Sequence, residues 1–228
     1  SHPHWLAERW LARLGPEEAA ALAEADNRPA PVTLRVNTLR TTREELLRRL
    51  QEAGVAARST ALAPEGIIVE PVRPVEELPG FAEGNFFAQD EGAMLAAHAL
   101  DPRRGERLLD LCAAPGGKTT HLAALTGDRA VIVALDDHRH KVDLIEKNCR
   151  RLGVKSVVAL QADAREYVSP SPFDGVLLDA PCSGTGLVVE KDPRTWQSWS
   201  PELVARLVKE QKKLMAAAFR AVKPGGVL

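Results

Sequence analysis

Two short segments of the chain combine residue types that bind nucleotide-like ligands and support group transfer. The first is Asp110-Leu-Cys-Ala-Ala-Pro-Gly-Gly-Lys118, whose glycines let the backbone approach a ligand closely at the start of a helix with free N–H groups. The second is Asp179-Ala-Pro-Cys182, which places a carboxyl and a thiol three residues apart on a turn stiffened by proline. A cysteine beside polar groups can be activated as a thiolate. Together they predict a cofactor site with a cysteine beside it.

The glycine-containing loop does not match either of two common nucleotide-binding patterns. The dinucleotide pattern G-x-G-x-x-G is absent, and the phosphate-binding pattern G-x-x-x-x-G-K-[ST] would need glycine where the chain has Cys112. This makes an NTPase or a nicotinamide-dependent oxidoreductase a poor interpretation. Taken alone, the loop fits an ordinary glycine turn as well as it fits a cofactor site.

Acidic residues end two further apolar runs. A carboxylate at Asp136 could accept hydrogen bonds from both hydroxyls of a ribose, although Asp137 shows that aspartate is also common in loops. Asp163 could hold the amino group of an adenine or simply cap a helix. Each residue alone has an ordinary structural explanation, but their recurrence at consecutive strand ends favours a ligand site.

The elements that must position these residues alternate along the second part of the chain. Strands are predicted at 107–111, 130–135, 156–160 and 175–178, and helices at 119–125, 138–152 and 201–222. Continuous apolar runs are typical of strands buried on both faces. The alternation predicts an α/β fold with a doubly wound, mainly parallel sheet and ligands at the carboxyl ends of its strands. A further buried strand, beginning at Gly226, is expected to be cut short at Leu228.

The first part of the chain has a different pattern, and we predict a small α+β domain at 1–80 before a catalytic domain at 81–228. Helices are expected at 3–26, with Pro16 starting a second helix, and at 43–53, capped by Thr41 or Thr42. Val32–Val36 and residues 66–69 read as strands. Asn85-Phe-Phe-Ala88 is strand-like and precedes a helix at 89–100.

Composition excludes several classes of protein. The 228 residues carry a net charge of −1, and no apolar run is long enough for a membrane span. The three cysteines show no zinc spacing and the six histidines no ligand spacing, so the sequence predicts no metal and a reducing, cytoplasmic location. Cys149 is interpreted as structural, and Trp196 and Trp199 as residues that either stack on an exposed base or pack against the sheet edge.

The two segments resemble the signatures of the NOL/NOP/Sun family of S-adenosylmethionine (SAM)-dependent RNA cytosine-5 methyltransferases, in particular its bacterial ribosomal RNA enzymes. Asp110–Lys118 and Asp179-Ala-Pro-Cys-Ser183 carry the most specific part of the likeness. Leu34-Arg-Val-Asn37, Leu78-Pro-Gly80 and Gln89-Asp90 are similar to the family's small domain and first core helix. The resemblance implies a Rossmann-like fold, SAM as cofactor and ribosomal RNA, 16S by preference, as substrate of a monomeric enzyme.

The resemblance also implies roles for individual residues. One set would wrap the methionine part of SAM: Cys112, Ala113, Ala114, Pro115, Gly116, Gly117 and Lys118. Asp136 would hold the ribose, Asp163 the adenine side, and Asp179 would lie between the methyl donor and the base. Cys182 would assist product release. The attacking cysteine is expected in a Thr-Cys motif beyond Leu228, so the chain is interpreted as an internal fragment that is inactive alone.

The expected chemistry begins with a thiolate adding to C6 of cytosine, which makes C5 electron-rich. Asp179 is the candidate partner of N3, for which burial would have to raise the pKa of its carboxyl group. Two alternatives stay open. A DNA cytosine-5 methyltransferase would typically have Gln where the chain has Ser183, and a non-catalytic RNA-binding module with this fold would not bind the cofactor.

Overall fold

The computed structural model describes residues 2–27, 31–70, 74–184 and 199–228. They fall into two compact units, one formed by 1–30 with 181–212 and the other by 31–180 with 213–228. The second unit contains both β-sheets and every predicted site residue except Cys182.

The helices and strands lie close to the predicted ranges. The α-helices are α1 His4–Ala25, α2 Arg43–Glu52, α3 Glu91–Ala99, α4 Gly117–Leu125, α5 Arg139–Leu152 and α6 Pro201–Ala221, and a short 3₁₀ helix covers Val75–Glu77. The strands are β1 Val32–Val36, β2 Ala56–Ser59, β3 Gly66–Glu70, β4 Phe86–Ala88, β5 Arg107–Asp110, β6 Val131–Asp136, β7 Val157–Gln161, β8 Phe173–Leu177 and β9 Val222–Val227.

The first sheet is antiparallel, in the order β2-β3-β1-β4. Alternate residues of β1, Leu34 and Val36, face a core that α2 completes with Leu46 and Leu50. Helix α2 begins where predicted, because Thr42 Oγ1 accepts a hydrogen bond from the Glu45 amide at 3.3 Å. Strand β4 lies beyond the predicted domain boundary at residue 80, yet it pairs with β1 in this sheet.

The second sheet is parallel, in the order β7-β6-β5-β8-β9. One core joins Leu108 and Ile132 of the strands to α3, α4 and α5. A second core joins Leu109 and Val176 to Leu214 of α6. Because neighbouring strand residues such as Leu108 and Leu109 point into different cores, helices cover both faces, which confirms the predicted doubly wound α/β fold.

The sequence predicts strands that are buried on both faces, and this is wrong for β7 and β9, the two edge strands of this sheet. Strand β9 begins at Val222, immediately after α6, rather than at Gly226, and it is largely exposed. Val158 of β7 is 51% exposed. An edge strand has a neighbouring strand on one side only, and position within a sheet is not visible in an apolar run.

The first unit contains α1 and the start of α6. Gly15 interrupts α1 with a φ of 79°, so a second helical segment starts at Pro16 as predicted. Trp199 is buried against Leu6, and Trp5 Nε1 donates a hydrogen bond to the Trp199 carbonyl at 3.2 Å. Trp199 therefore packs against α1 rather than against the sheet edge, whereas Trp196 lies outside the described residues. Across the described ranges, no helix is both long and apolar enough to cross a bilayer.

Candidate cofactor site

Hydrogen bonds beyond the regular strands fix the loop that follows β5. The Leu111 amide donates to the Leu177 carbonyl of β8 at 3.1 Å, and the Ala113 amide donates to the Leu135 carbonyl of β6 at 2.8 Å. The loop is therefore held by the neighbouring strand on each side. This places its backbone at the carboxyl edge of the sheet, as predicted.

Two glycines shape the turn into α4. The Gly116 amide donates to the Ala113 carbonyl at 2.7 Å, and the φ of Gly116 is 98°, a left-handed value that other residues rarely adopt. A Cβ atom at Gly117 would lie 3.1 Å from the Phe87 ring. From outside the loop, Asn148 Nδ2 donates to the Pro115 carbonyl at 2.9 Å. The sequence requires small residues here because the turn is tight and closely packed.

A cavity of about 180 Å³ lies at this edge. Its lining includes seven predicted residues, Cys112, Ala113, Ala114, Pro115, Gly117, Lys118 and Asp179, together with Phe87, Ala88, Gln89, Ala93 and Asp110, which the sequence prediction left out. Gly116, Asp136 and Asp163 are not among the lining residues. Phe87, Ala88 and Gln89 come from β4 and the segment after it, so the antiparallel sheet supplies part of the cavity wall.

Among the five cavity residues that the sequence prediction left out, Asp110 is the one with a carboxyl group. It is 1% exposed, and its Oδ2 accepts a hydrogen bond from Thr119 Oγ1 at 2.7 Å. Its Oδ1 is buried and makes no hydrogen bond of regular geometry to any described residue, although the Cys112 amide lies near the carboxylate and acts to lower its pKa. Burial raises the pKa of Asp110 to about 6, although Thr119 and Lys118 act in the opposite direction. The sequence does contain a signal for this residue, because Asp110 is the first residue of the glycine-containing motif.

Asp179 forms an ion pair at the same cavity. Lys118 Nζ lies 2.6 Å from Asp179 Oδ2, which links the first turn of α4 to the segment after β8. The Asp179 side chain is 58% exposed, so the burial expected for a proton donor to the base is not present. Its position at the end of β8 leaves the carboxylate accessible from the cavity and from solvent.

Asp136 and Asp137 are adjacent but differ in burial. Asp136 is 7% exposed, and its Oδ1 accepts a hydrogen bond from the His138 amide at 3.2 Å and lies 3.3 Å from Lys141 Nζ. Asp137 has an exposed side chain that contacts His138. Asp136 is therefore the more firmly positioned of the two carboxylates.

Asp163 is already engaged by its neighbour Arg165. Arg165 Nε donates to Asp163 Oδ1 at 2.8 Å and Arg165 Nη2 donates to Oδ2 at 2.6 Å. These hydrogen bonds lower the pKa of Asp163. Since both oxygens are occupied, the assignment of Asp163 to the adenine stays a prediction.

The three cysteines differ in environment. Burial, together with the negative charges of nearby carboxylates such as Asp110, raises the pKa of Cys112 to about 12. Burial likewise raises the pKa of Cys149 to about 11. Both are therefore thiols near neutral pH, which fits the structural interpretation of Cys149, whereas Cys182 is exposed.

Models of two known protein families match separate parts of the chain. A family model for the 16S rRNA methyltransferase RsmB/F matches residues 97–228, and one for the RsmF/B-like ferredoxin-like domain matches residues 2–76. The chain belongs to the RsmB/F methyltransferase family. The predicted resemblance is thereby confirmed. The predicted domain boundary at residue 80 falls between the two matches and stays a prediction.

Two curated relatives of this RsmB/F family chain share one name. The "Ribosomal RNA small subunit methyltransferase B" of Klebsiella pneumoniae is 38% identical over 230 residues, which cover all of the chain and 52% of that protein. The protein of the same name from Xylella fastidiosa is 40% identical over 99% of the chain and 52% of its own length. The chain thus spans about half the length of these relatives.

Solved structures agree with the RsmB/F assignment. A methyltransferase homolog protein from Pyrococcus horikoshii is 30% identical with a TM-score of 0.87, over 100% of the chain and 72% of its own. NSun6 from the same organism, solved with SFG, has a TM-score of 0.90 at 24% identity, over 99% of the chain and 82% of its own, which shows a shared fold.

Proposed function

We propose that this RsmB/F family chain forms the cofactor-binding region of an enzyme that transfers a methyl group from SAM to C5 of a cytosine in ribosomal RNA, with 16S rRNA as the expected substrate. The observation that carries the proposal is the buried Oδ1 of Asp110, which lacks a regular hydrogen-bond partner in the wall of the cavity. A buried carboxylate oxygen without a partner is costly, and the ammonium group of SAM would satisfy it.

The residues around the cavity fit the rest of the cofactor. Gly117 and Phe87 both line the cavity, and the absence of a side chain at Gly117 keeps the backbone accessible where α4 starts with free amide groups. Asp136 offers a positioned carboxylate at the end of the next strand for the ribose hydroxyls. When bound, SAM would supply an electrophilic methyl group on its sulfonium.

Asp179, at the edge of the cavity, is placed to contact the RNA base that is methylated. Asp179 is exposed, and its pairing with Lys118 holds the carboxylate in place for a hydrogen bond to a base that has left its stack. The chain's contribution would be positioning, which for two well-oriented reactants is worth about 7–11 kcal/mol. By analogy with the family, Cys182 would assist product release. The raised pKa of Cys112 argues against this residue as the attacking thiol.

Two measurements test this function. Calorimetry with S-adenosylhomocysteine should show one binding site per chain, and a chain that does not bind it would be a non-catalytic module. Bisulfite sequencing of 16S rRNA from cells with and without the gene should show one methylated cytosine that disappears. Unchanged rRNA would remove the proposed substrate, and methylcytosine lost from DNA would favour the DNA methyltransferase alternative. The cytoplasmic location and monomeric state stay predictions.

Affinity for S-adenosylhomocysteine should rise with pH through the pKa of Asp110, about 6. The ligand's ammonium group favours ionised Asp110, so binding releases a proton below this pH. Affinity should then fall by up to about tenfold per pH unit on the acidic side. Asp110→Asn should bind more weakly and lose this slope, whereas Asp137→Asn, at an exposed carboxylate, should retain it. A flat profile in the unmodified chain would contradict the contact with Asp110.

A further inference from the structure

Three side chains with metal-binding atoms meet away from the proposed cofactor cavity. They are Glu65, which precedes β3, His98 on α3 and His121 on α4, and their candidate ligand atoms all lie within 4.8 Å of one another. The sequence predicted no metal because these residues have no ligand spacing along the chain. The fold brings them together by packing α3 and α4 beside the start of β3.

The distances are those of a compact ligand set. Glu65 Oε1 lies 2.9 Å from His98 Nε2 and 2.7 Å from His121 Nε2. Around a tetrahedral zinc ion with bonds of about 2.0–2.1 Å, ligand atoms are separated by about 3.3 Å. The two distances from Glu65 Oε1 to the histidine nitrogens would therefore have to lengthen by about half an ångström to admit an ion. The two imidazole rings are nearly perpendicular, at 85°, with centroids 5.2 Å apart.

His121 provides a second observation that points to a ligand. Its side chain is 2% exposed, and neither ring nitrogen makes a hydrogen bond of regular geometry within the described part of the chain. Nε2 is close to Glu65 Oε1 but is poorly oriented for donating a proton to it. The contact with Glu65 lowers the pKa of that carboxyl group, so it is a real interaction, but it leaves the geometry of Nε2 irregular and the buried Nδ1 without a partner among the described residues.

We propose that Glu65, His98 and His121 bind a divalent transition metal ion, with Zn²⁺ as the best chemical fit. Two imidazoles and one carboxylate are an established zinc ligand set that leaves one position open. The Glu65 side chain is 6% exposed and that of His98 is 30% exposed, so water would complete the coordination from the side of His98. The bound ion would link the start of β3 to α3 and α4.

One nearby positive charge opposes the binding of a metal ion. Arg35 is buried and acts electrostatically on both Glu65 and His121. The carboxylate of Glu65 therefore faces one resident cation already, which favours moderate rather than very tight binding of a second. The simpler structural alternative is a carboxylate that only accepts hydrogen bonds from two histidines, and the experiment is designed to separate the two.

The test titrates the chelator-treated chain with Co²⁺, followed by visible absorption, and with Zn²⁺, followed by calorimetry. The decisive variant is His98→Gln, because a glutamine amide can still donate a hydrogen bond to Glu65 but is a poor zinc ligand. We expect one ion per chain for the unmodified protein and an affinity at least about 10–100-fold lower in the variant. His98→Cys, which restores a ligand, should bind Co²⁺ again with a thiolate charge-transfer band.

The matched control is His138→Ala. His138 is exposed and forms, with Asp136 and Asp137, the other group of potential metal ligands among the described residues. Binding should be unchanged in this variant. Circular dichroism in the presence of chelator should show that His98→Gln is folded. Absence of saturable binding in the unmodified chain, equal binding by His98→Gln, or loss of binding in His138→Ala would each overturn the proposal.

Discussion

Replacing Arg35 with methionine should lower the free energy of unfolding by about 3 kcal/mol and weaken cofactor binding. Arg35 is 1% exposed and reaches from β1 to the start of α4. Its guanidinium donates to the Gly117 carbonyl, to Gln89 Oε1 and, at 2.8 Å, to Thr120 Oγ1. Methionine fills similar space but removes these three hydrogen bonds and the positive charge that faces Glu65. Urea denaturation at neutral pH measures the change.

The control for Arg35 is an arginine that carries the same charge elsewhere in the same sheet. Arg58 on β2 is exposed, so Arg58→Met should change stability by no more than about 0.5 kcal/mol. Arg35→Lys should be intermediate, because lysine keeps the charge but lacks the planar fork of donors. Burial lowers the pKa of Arg35 to about 9, so the group is still charged under these conditions. A stability of Arg35→Met equal to that of Arg58→Met would disprove this role.

Asp136→Ala should reduce the affinity for S-adenosylhomocysteine about 100-fold, or about 3 kcal/mol, because the ribose would lose a charged hydrogen-bond acceptor. The adjacent Asp137→Ala removes an equal charge from an exposed position and should have little effect. Calorimetry on both variants compares the two carboxylates directly. Undiminished affinity in Asp136→Ala would refute the assignment of this residue to the ribose.

The cofactor loop was predictable because its determinants are local. The pair Gly116 and Gly117 indicates a tight turn. Apolar runs such as β5 and β6 indicate a parallel sheet, in which the carboxyl ends of the strands lie at one edge. Asp110 stands in the same motif, but its partly unpaired carboxylate depends on how Thr119 and the cavity wall are arranged.

Other features depend on tertiary packing and could not be predicted. The group of Glu65, His98 and His121 exists only because elements distant along the chain pack together. The exposure of Asp179 and of β9 likewise depends on position at the rim or edge of the sheet, which residue type does not encode.

The participation of β1 and β4 in the cofactor site limits how this gene could be divided or recombined. A segment cut at residue 97, where the methyltransferase family match starts, would lose Arg35, Phe87 and Gln89, and with them the anchor of the loop and one side of the cavity. Exchanging the leading module for one that lacks these three side chains would have the same effect. Neither part alone therefore encodes all the side chains that line the proposed binding site for the methyl donor.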